Sequence, residues 1–357
     1  MRIMHVLSQN RLSGAENVAA DICLMFEGVH EMAYCSPEGP IRYALHDRGV
    51  PYISLPVMSL SALKRAIKNY NPAIIHAHDV RATLISVFAA EGRPVISHLH
   101  GNSEEMRRLS IKSLLYFLTA LKTEQIIVVS DSCLDDYYFK NKIAHKTICL
   151  PNTIYPERIY RLMNKDPNEY RFDFVYLGRI SYPKDPQRIA KVASTVLKNC
   201  PNATFGVIGE GEQKLTDIMK AIFKAEGVSD RVTFTGRLSF PYKALKKAKF
   251  LLMCSRFEGS PIAALEAMAL GVPIVSTPVD GLKHIIRHGV SGFLADEDGA
   301  LSEFGCELLR NVSLQQRMSE NTLKRFKEVC DFETYRYALG EIYTNIHNRK
   351  TRSSHAV

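Results

Sequence analysis

The chain has 357 residues, 46% hydrophobic and 23% charged, with 20 Gly and 16 Pro, a globular composition long enough for two cores without disulfide or metal staples. It has no run of 18 apolar residues, turns polar soon after Leu7, and scatters eight cysteines with no CxxC or Cys/His pairing. Spanning helices, a secretory leader, disulfide knots and zinc fingers are therefore not expected, and the thiols read as reduced core residues of a cytoplasmic protein. The net charge of +9 is uneven: residues 1–155 hold 16 Lys+Arg against 14 Asp+Glu, the remainder 30 against 23. A basic second half suits an anionic ligand, and with no nucleic-acid module or Arg/aromatic interleaving, no nucleic-acid partner is expected.

Short apolar runs alternate with helical patterns, which predicts βαβ units and parallel sheets. In the first half, strands are expected at Arg2–Ser8, Glu31–Ser36, Tyr52–Leu55, Ala73–His78, Pro94–His100, Gln125–Ser130 and Lys146–Leu150. Helical stretches separate them, among them Gly14–Phe26, Leu60–Asn69 and Glu104–Lys122. A polar, Pro-containing stretch over residues 156–170 reads as a linker. Strands resume at Phe172–Leu177, Thr204–Ile208, Val232–Thr235, Phe250–Cys254, Pro273–Ser276 and Gly292–Leu294. A last helix, Phe332–His347, carries Tyr335, Leu339, Ile342 and Ile346 as a stripe. Two tandem α/β sheets predict a ligand cleft at the carboxyl ends of their strands.

The segment FLLMCSRFEGSPIAALEAMALGVPIVSTP, residues 250–278, reads strand, loop, helix, strand. Ser260 suits an N-cap and Pro261 the first helical position, so free N–H groups there could hold a phosphate. Glu266 sits in an apolar helix with no local cation. It must face solvent, or meet a distant cation or a ligand hydroxyl, because an unpaired buried carboxylate costs several kcal/mol. In DFVYLGRISYPKDP, Gly178-Arg179 ends a strand and Lys184 precedes a helix capped by Asp185, a pair of cations suited either to a diphosphate or to an ordinary surface. Gly209-Glu210-Gly211 and Ser13-Gly14 are small-residue turns after strands, weak phosphate signals by themselves. His76, His78, His98 and His100 lie near strand ends, where one lining the cleft is favoured over a metal site. Asp296-Glu297-Asp298 reads as a solvated loop rather than a metal-binding DxD.

Together these stretches resemble the family-4 retaining glycosyltransferases of the GT-B fold. The resemblance is strongest through GRISYPKDP, VIGEGEQKL, VTFTGRLS, SRFEGSPIAALEAMALGVPIVST and GVSGFL, and looser through SGAE, HAHD, HLHG, VVSDS and LPN. It implies two Rossmann-like domains facing a cleft, over residues 1–160 on the acceptor side and 161–331 on the donor side. Residues 332–357 would form a helix packing back on the first domain, with a flexible tail. It further implies a nucleotide-sugar donor, UDP-sugar by family frequency, with no metal or other cofactor. Arg179 and Lys184 would clamp the diphosphate, Glu258 would contact the donor sugar, and His100 would sit near the reacting centre. Gly14, Gly178, Gly209, Arg237, Leu238, Gly259, Ser260, Pro261 and Glu266 complete the implied donor-binding set, with Glu266 on the ribose hydroxyls. The chain departs from the family pattern at Ser13-Gly14, Lys184-Asp185, Asp280-Gly281 and Asn152-Thr153.

The implied acceptor is a glycan or lipid-linked saccharide of cell-surface polysaccharide biosynthesis. Glu104–Lys122 mixes Arg107, Arg108, Lys112 and Lys122 with leucines, and admits two readings. It is either a core helix with a basic exposed side or a peripheral membrane contact on the inner face of the plasma membrane. The competing readings of the whole chain are a non-catalytic GT-B subunit and a sugar-nucleotide epimerase; the opening glycine turn lacks the GxGxxG of a dinucleotide-binding dehydrogenase.

Overall fold

A computed structural model of the chain describes residues 1–101 and 104–355. It divides into two compact units, Met1–Tyr155 with Asp331–Val357, and Pro156–Cys330. The end of the tail expected to be flexible, residues 356 and 357, lies outside the described residues.

The first unit is built on seven strands: β1 (Arg2–Val6), β2 (Glu31–Pro37), β3 (Tyr52–Leu55), β4 (Ile74–Ala77), β5 (Val95–Leu99), β6 (Gln125–Val128) and β7 (Thr147–Cys149). They pair in parallel in the order β3-β2-β1-β4-β5-β6-β7. The second unit carries β8 (Phe174–Leu177), β9 (Phe205–Ile208), β10 (Val232–Gly236), β11 (Phe250–Met253), β12 (Ile274–Ser276) and β13 (Gly292–Leu294). Their order is β10-β9-β8-β11-β12-β13, again all parallel. Central strands such as β4 and β11 are buried along their whole length, which is why they read as continuous apolar runs rather than alternating ones. Phe174 stacks between Phe205 and Phe250 at ring separations of 4.6 and 4.9 Å, locking three strands of the second sheet together. In each sheet the strand order reverses beside the first strand, at β1/β4 and β8/β11. Such switch points open a crevice at the carboxyl ends of open α/β sheets.

Three local expectations are corrected. The linker at 156–170 is in part a helix, Pro156–Lys165, whose Arg158, Ile159 and Leu162 are buried. Its apolar stripe is short and includes a charged residue, so the periodicity was masked. The Glu104–Lys122 stretch is a 3-10 turn, Glu104–Met106, followed by the helix Ile111–Ala120. Ser110 and Ser113 cap that helix reciprocally, Ser113 N donating to Ser110 Oγ at 3.0 Å and Ser110 N to Ser113 Oγ at 2.9 Å. The helix after β11 spans Ile262–Ala269 with Pro261 at its cap position, so Ser260 is not the cap.

The C-terminal helix, Phe332–His355, belongs to the first unit. It buries Tyr335, Leu339, Tyr343 and Ile346 and leaves Ile342 half-buried, so the true stripe runs through Tyr343. Tyr343 packs edge-on against Phe26 at 5.7 Å and meets His76 Nδ1 through its hydroxyl at 2.7 Å. Seven cysteines are buried and Cys149 is exposed; all eight are free thiols.

Candidate functional site

In the second unit, the turns that leave β8 and β9 pack backbone against backbone. Gly178 N donates to Ile208 O at 3.0 Å, and Ile180 N to Glu210 O at 3.1 Å. A Cβ on Gly209 would lie 1.9 Å from Gly178 O, and one on Gly211 1.9 Å from Ile180 O. The glycine spacing of Gly209-Glu210-Gly211 is therefore required by this close approach.

Arg179 follows Gly178, is exposed, and makes no side-chain hydrogen bond or ion pair among the described residues. Its backbone carbonyl accepts from the buried Tyr176 hydroxyl at 2.8 Å, which fixes the turn. Lys184 ends a 3-10 turn, Tyr182–Lys184, and Asp185 caps the next helix, Pro186–Asn199, accepting from Arg188 N at 3.3 Å. Asp185 adopts φ +48°, the left-handed conformation that short polar residues tolerate and glycine favours. Its carboxylate also pairs with Arg256 at 2.8 Å. The acid beside Lys184 is thus spent on a cap and an ion pair.

Lys184 Nζ forms a salt bridge with Glu258 Oε1, which also accepts from Ser255 Oγ at 2.7 Å. Two residues 74 positions apart are brought together at the carboxyl edge of the sheet. Gly281 N donates to Glu258 O at 2.9 Å, and a Cβ on Gly281 would lie 2.5 Å from Gly259 O. The Asp280-Gly281 turn therefore braces the Glu258-Gly259 loop. Gly259 and Ser260 are half-buried and Pro261 is buried, while Arg237 and Leu238 follow β10 half-buried.

Glu266 does not face solvent: it is 5% exposed, and its partner is a distant cation. Arg158 Nη2 donates to Glu266 Oε1 at 3.1 Å, and Tyr242 Oη donates to the same oxygen at 3.0 Å. Arg158 also donates to Tyr242 Oη, and its guanidinium lies 5.6 Å from that ring. Among the described residues Glu266 Oε2 accepts no hydrogen bond, which leaves it as an acceptor for a ligand. Arg158, Tyr242, Ser255 and Arg256 were not singled out from sequence. The one signal for Arg158 was its place in the helical stripe with Ile159 and Leu162.

In the first unit, Gly14 opens its helix exposed, and a Cβ there would meet nothing within 4 Å. The buried residue of that turn is Glu16, which accepts from Ser13 Oγ and whose carboxyl is raised by burial. Along β1, β4 and β5 five histidines gather: His76, His78, His98 and His100 stack, and His5 lies tilted beside His76 and His78. His5 Nδ1 and His78 Nε2 are 2.8 Å apart, and His78 Nδ1 and His100 Nε2 are 3.0 Å apart, so a hydrogen-bonded chain leads to the half-buried His100. Burial pushes His5 down to about 3 and His100 to about 4, with the Asn152 side chain partly offsetting the latter. His76, His78 and His98 are held well below the usual histidine value by burial and by each other. The rings are neutral at neutral pH, so His100 acts there as a dipole, not a cation. The triplets His5/His76/His78 and His78/His98/His100 bring ligand atoms within 4.8 Å of one another. Both nitrogens of His78, common to the two, are engaged by neighbouring rings. Asp298 of the acidic run pairs with Arg188 at 2.6 Å.

Residues 12–158 match the family model described as Glycosyltransferase Family 4, and residues 163–325 the model described as Glycosyl transferases group 1. The chain belongs to glycosyltransferase family 4. Among its relatives, this glycosyltransferase is 24% identical over 331 residues to the UDP-Gal:alpha-D-GlcNAc-diphosphoundecaprenol alpha-1,3-galactosyltransferase of Escherichia coli, covering 83% of this chain and 84% of that one. It is 23% identical over 300 residues to the N-acetyl-alpha-D-glucosaminyl L-malate synthase of Bacillus anthracis, covering 78% and 77%. Its fold is similar to that of Anabaena Alr3699/HepE, solved in complex with UDP-glucose, with a TM-score of 0.81 at 18% identity over 97% of this chain and 100% of that one. The architecture is GT-B, an α/β fold of two Rossmann-like domains.

Proposed function

We propose that this glycosyltransferase is retaining and metal-independent, and moves a sugar from a UDP-sugar to a glycan or lipid-linked saccharide acceptor in cell-surface polysaccharide biosynthesis. The observation that carries the reading is the grouping at the β8/β11 edge: exposed Arg179, the Lys184–Glu258 pair, and Glu266 with one free oxygen. A relative named as acting on a diphosphoundecaprenol-linked sugar supports the acceptor class. Among the described residues no helix is long and apolar enough to cross a membrane.

In this mechanism Glu266 Oε2 accepts ribose hydroxyls, and the backbone around Arg237 and Leu238 flanks the base. As the glycosidic bond breaks, negative charge grows on the diphosphate and positive charge on the sugar. Arg179 and Lys184 meet the first; preorganised charge of this kind is commonly the largest catalytic contribution. Lys184 is already paired with Glu258, so Arg179 supplies the uncompensated charge. Glu258 orients sugar hydroxyls while Ser255 and Lys184 hold its carboxylate still. Front-face attack with a leaving phosphate oxygen taking the acceptor proton gives retention.

Thermal shifts with UDP, GDP, ADP, dTDP and CMP test this, with Glu266→Ala as control. A ligand at 100 times its Kd stabilises by about 2.7 kcal/mol, several degrees for a domain of this size. UDP is expected to lead and to lose its effect in the variant. No shift with any nucleotide returns the chain to the non-catalytic reading. NMR of the product's anomeric configuration then decides retention.

A further inference from the structure

The helix Ile111–Ala120 faces the wrong way for a core helix. Its inward residues are Ser113, Tyr116, Thr119 and Ala120, all buried. Its outward ones are apolar: Ile111 is 82% exposed, and Leu114, Leu115, Leu118 and the capping Leu121 are 43–49% exposed. At 100° per residue these five positions span an arc of about 120°. The basic-outside core helix admitted by the sequence is therefore corrected: the leucines are outside.

The orientation is pinned by the polar groups beneath. Ser113 Oγ donates to Arg108 O at 2.8 Å, and Tyr137 Oη donates to Ser113 O at 2.7 Å. Tyr116 Oη and Ser97 Oγ are 3.0 Å apart, and Thr119 Oγ1 donates to Leu115 O at 3.0 Å. Rotating the leucines inward would break the bonds that Tyr137 and Ser97 make with the helix and bury those partners unsatisfied. Phe88, 55% exposed on the neighbouring helix Val80–Ala89, extends the patch, with Lys122 Nζ 5.5 Å from its ring centre.

Around the apolar stripe stand Arg107, Arg108, Lys112 and Lys122, against Glu104 and Glu105. Arg107 pairs with Asp136 at 2.8 Å and Lys112 with Glu105 at 3.3 Å, so the rim is cationic only moderately. An apolar stripe of this size with a modestly basic rim is the pattern of a helix lying in a lipid headgroup region, held chiefly by its buried apolar area. We infer that this face docks the first unit onto an anionic phospholipid bilayer, with Ile111, Leu115 and Leu118 entering the acyl boundary and the four cations at headgroup level. Lipid binding stands independently of the donor chemistry. Its use, meeting a lipid-linked acceptor at the surface where that acceptor is anchored, rests on the proposed function.

The test is flotation of the purified full chain with phosphatidylglycerol-containing vesicles and with phosphatidylcholine vesicles. The wild type is expected to float with the first set and more weakly with the second. A variant with Ile111→Ser, Leu115→Ser and Leu118→Ser is expected to lose at least about tenfold in partitioning. Replacing the four cations by Gln should remove the preference for anionic vesicles, as should high salt. Melting temperature and UDP-induced shift, measured on both variants, should match wild type; because these side chains are exposed, their loss leaves the fold intact. Wild-type protein that stays with the unbound fraction, or a triple-Ser variant that floats like wild type, overturns the proposal. So does light scattering showing that the stripe is covered by a second copy of the chain and that this dimer does not float. A UDP shift that fails while flotation succeeds would refute the donor assignment and leave the docking surface standing.

Discussion

Lowering the pH should unfold the first unit well before the second, because four neutral imidazoles are buried in it and a fifth, His100, is half-buried. Their folded values lie near 3 for His5, near 4 for His100, and well below the ordinary value for His76, His78 and His98. Once unfolded, each ring titrates near 6.5. Below that value the unfolded chain binds protons that the folded unit refuses, so stability is full above about pH 6.5 and falls as pH drops towards about 4. Each ring contributes about 1.4 kcal/mol per pH unit, and five together about 7 kcal/mol per unit. A domain with a typical stability of about 5–15 kcal/mol exhausts this within roughly one to two units, placing its acid midpoint near pH 5. Glu16 acts in the opposite sense, since burial raises its carboxyl, but it is one group against five. Hydrogen exchange followed by mass spectrometry reads the two units separately, through peptides from β1, β4 and β5 against peptides from β8 and β11. His98→Leu removes a ring whose two nitrogens have no partner among the described residues. It should lower the acid midpoint and reduce the proton uptake on unfolding by about one. A first unit as acid-resistant as the second, or a His98→Leu variant with unchanged uptake, would refute the neutral-ladder reasoning.

The donor side supports three further expectations. Arg158→Met leaves Glu266 buried beside Tyr242 without its cation, which should cost the second unit about 3–5 kcal/mol in calorimetry and shrink the preference for UDP over its 2′-deoxy analogue; an unchanged transition would show that the pair is not structural. Arg179→Ala should lower kcat more than Lys184→Ala does, with smaller changes in donor KM, since Glu258 already compensates Lys184; the reverse order would remove Arg179 from the leaving-group role. Gly209→Ala forces a Cβ to 1.9 Å from Gly178 O and should destabilise by more than about 3 kcal/mol, whereas Gly14→Ala, with nothing within 4 Å, should change stability by less than about 1 kcal/mol. Matching melting temperatures for those two would contradict the close-approach argument.

The sheets were legible from the linear pattern because a parallel strand buried on both faces needs a continuous apolar run, a property of neighbouring residues. Central strands such as Phe250–Met253 and Ile274–Ser276 fall on such runs, while the edge strands Tyr52–Leu55 and Val232–Gly236 are only partly buried. The Asp185 cap followed by Pro186 was legible for the same reason, as a helix start is written in two or three adjacent residues. What the linear pattern left open were the partners. The sequence shows that Glu266 needs a counter-charge or a ligand; only the tertiary structure selects Arg158, 108 positions away in a segment that read as linker. It shows leucines and lysines together near residue 115, yet which side faces out is decided by hydrogen bonds from Ser113, Tyr116 and Tyr137 beneath the helix. It shows two His-x-His runs; their assembly with His5 into one neutral ladder follows from the register of three parallel strands, where His5 stands opposite His76. Local backbone preference and periodicity act over a few residues and are readable along the chain, whereas charge pairing and the orientation of a face depend on which distant segments the fold brings together.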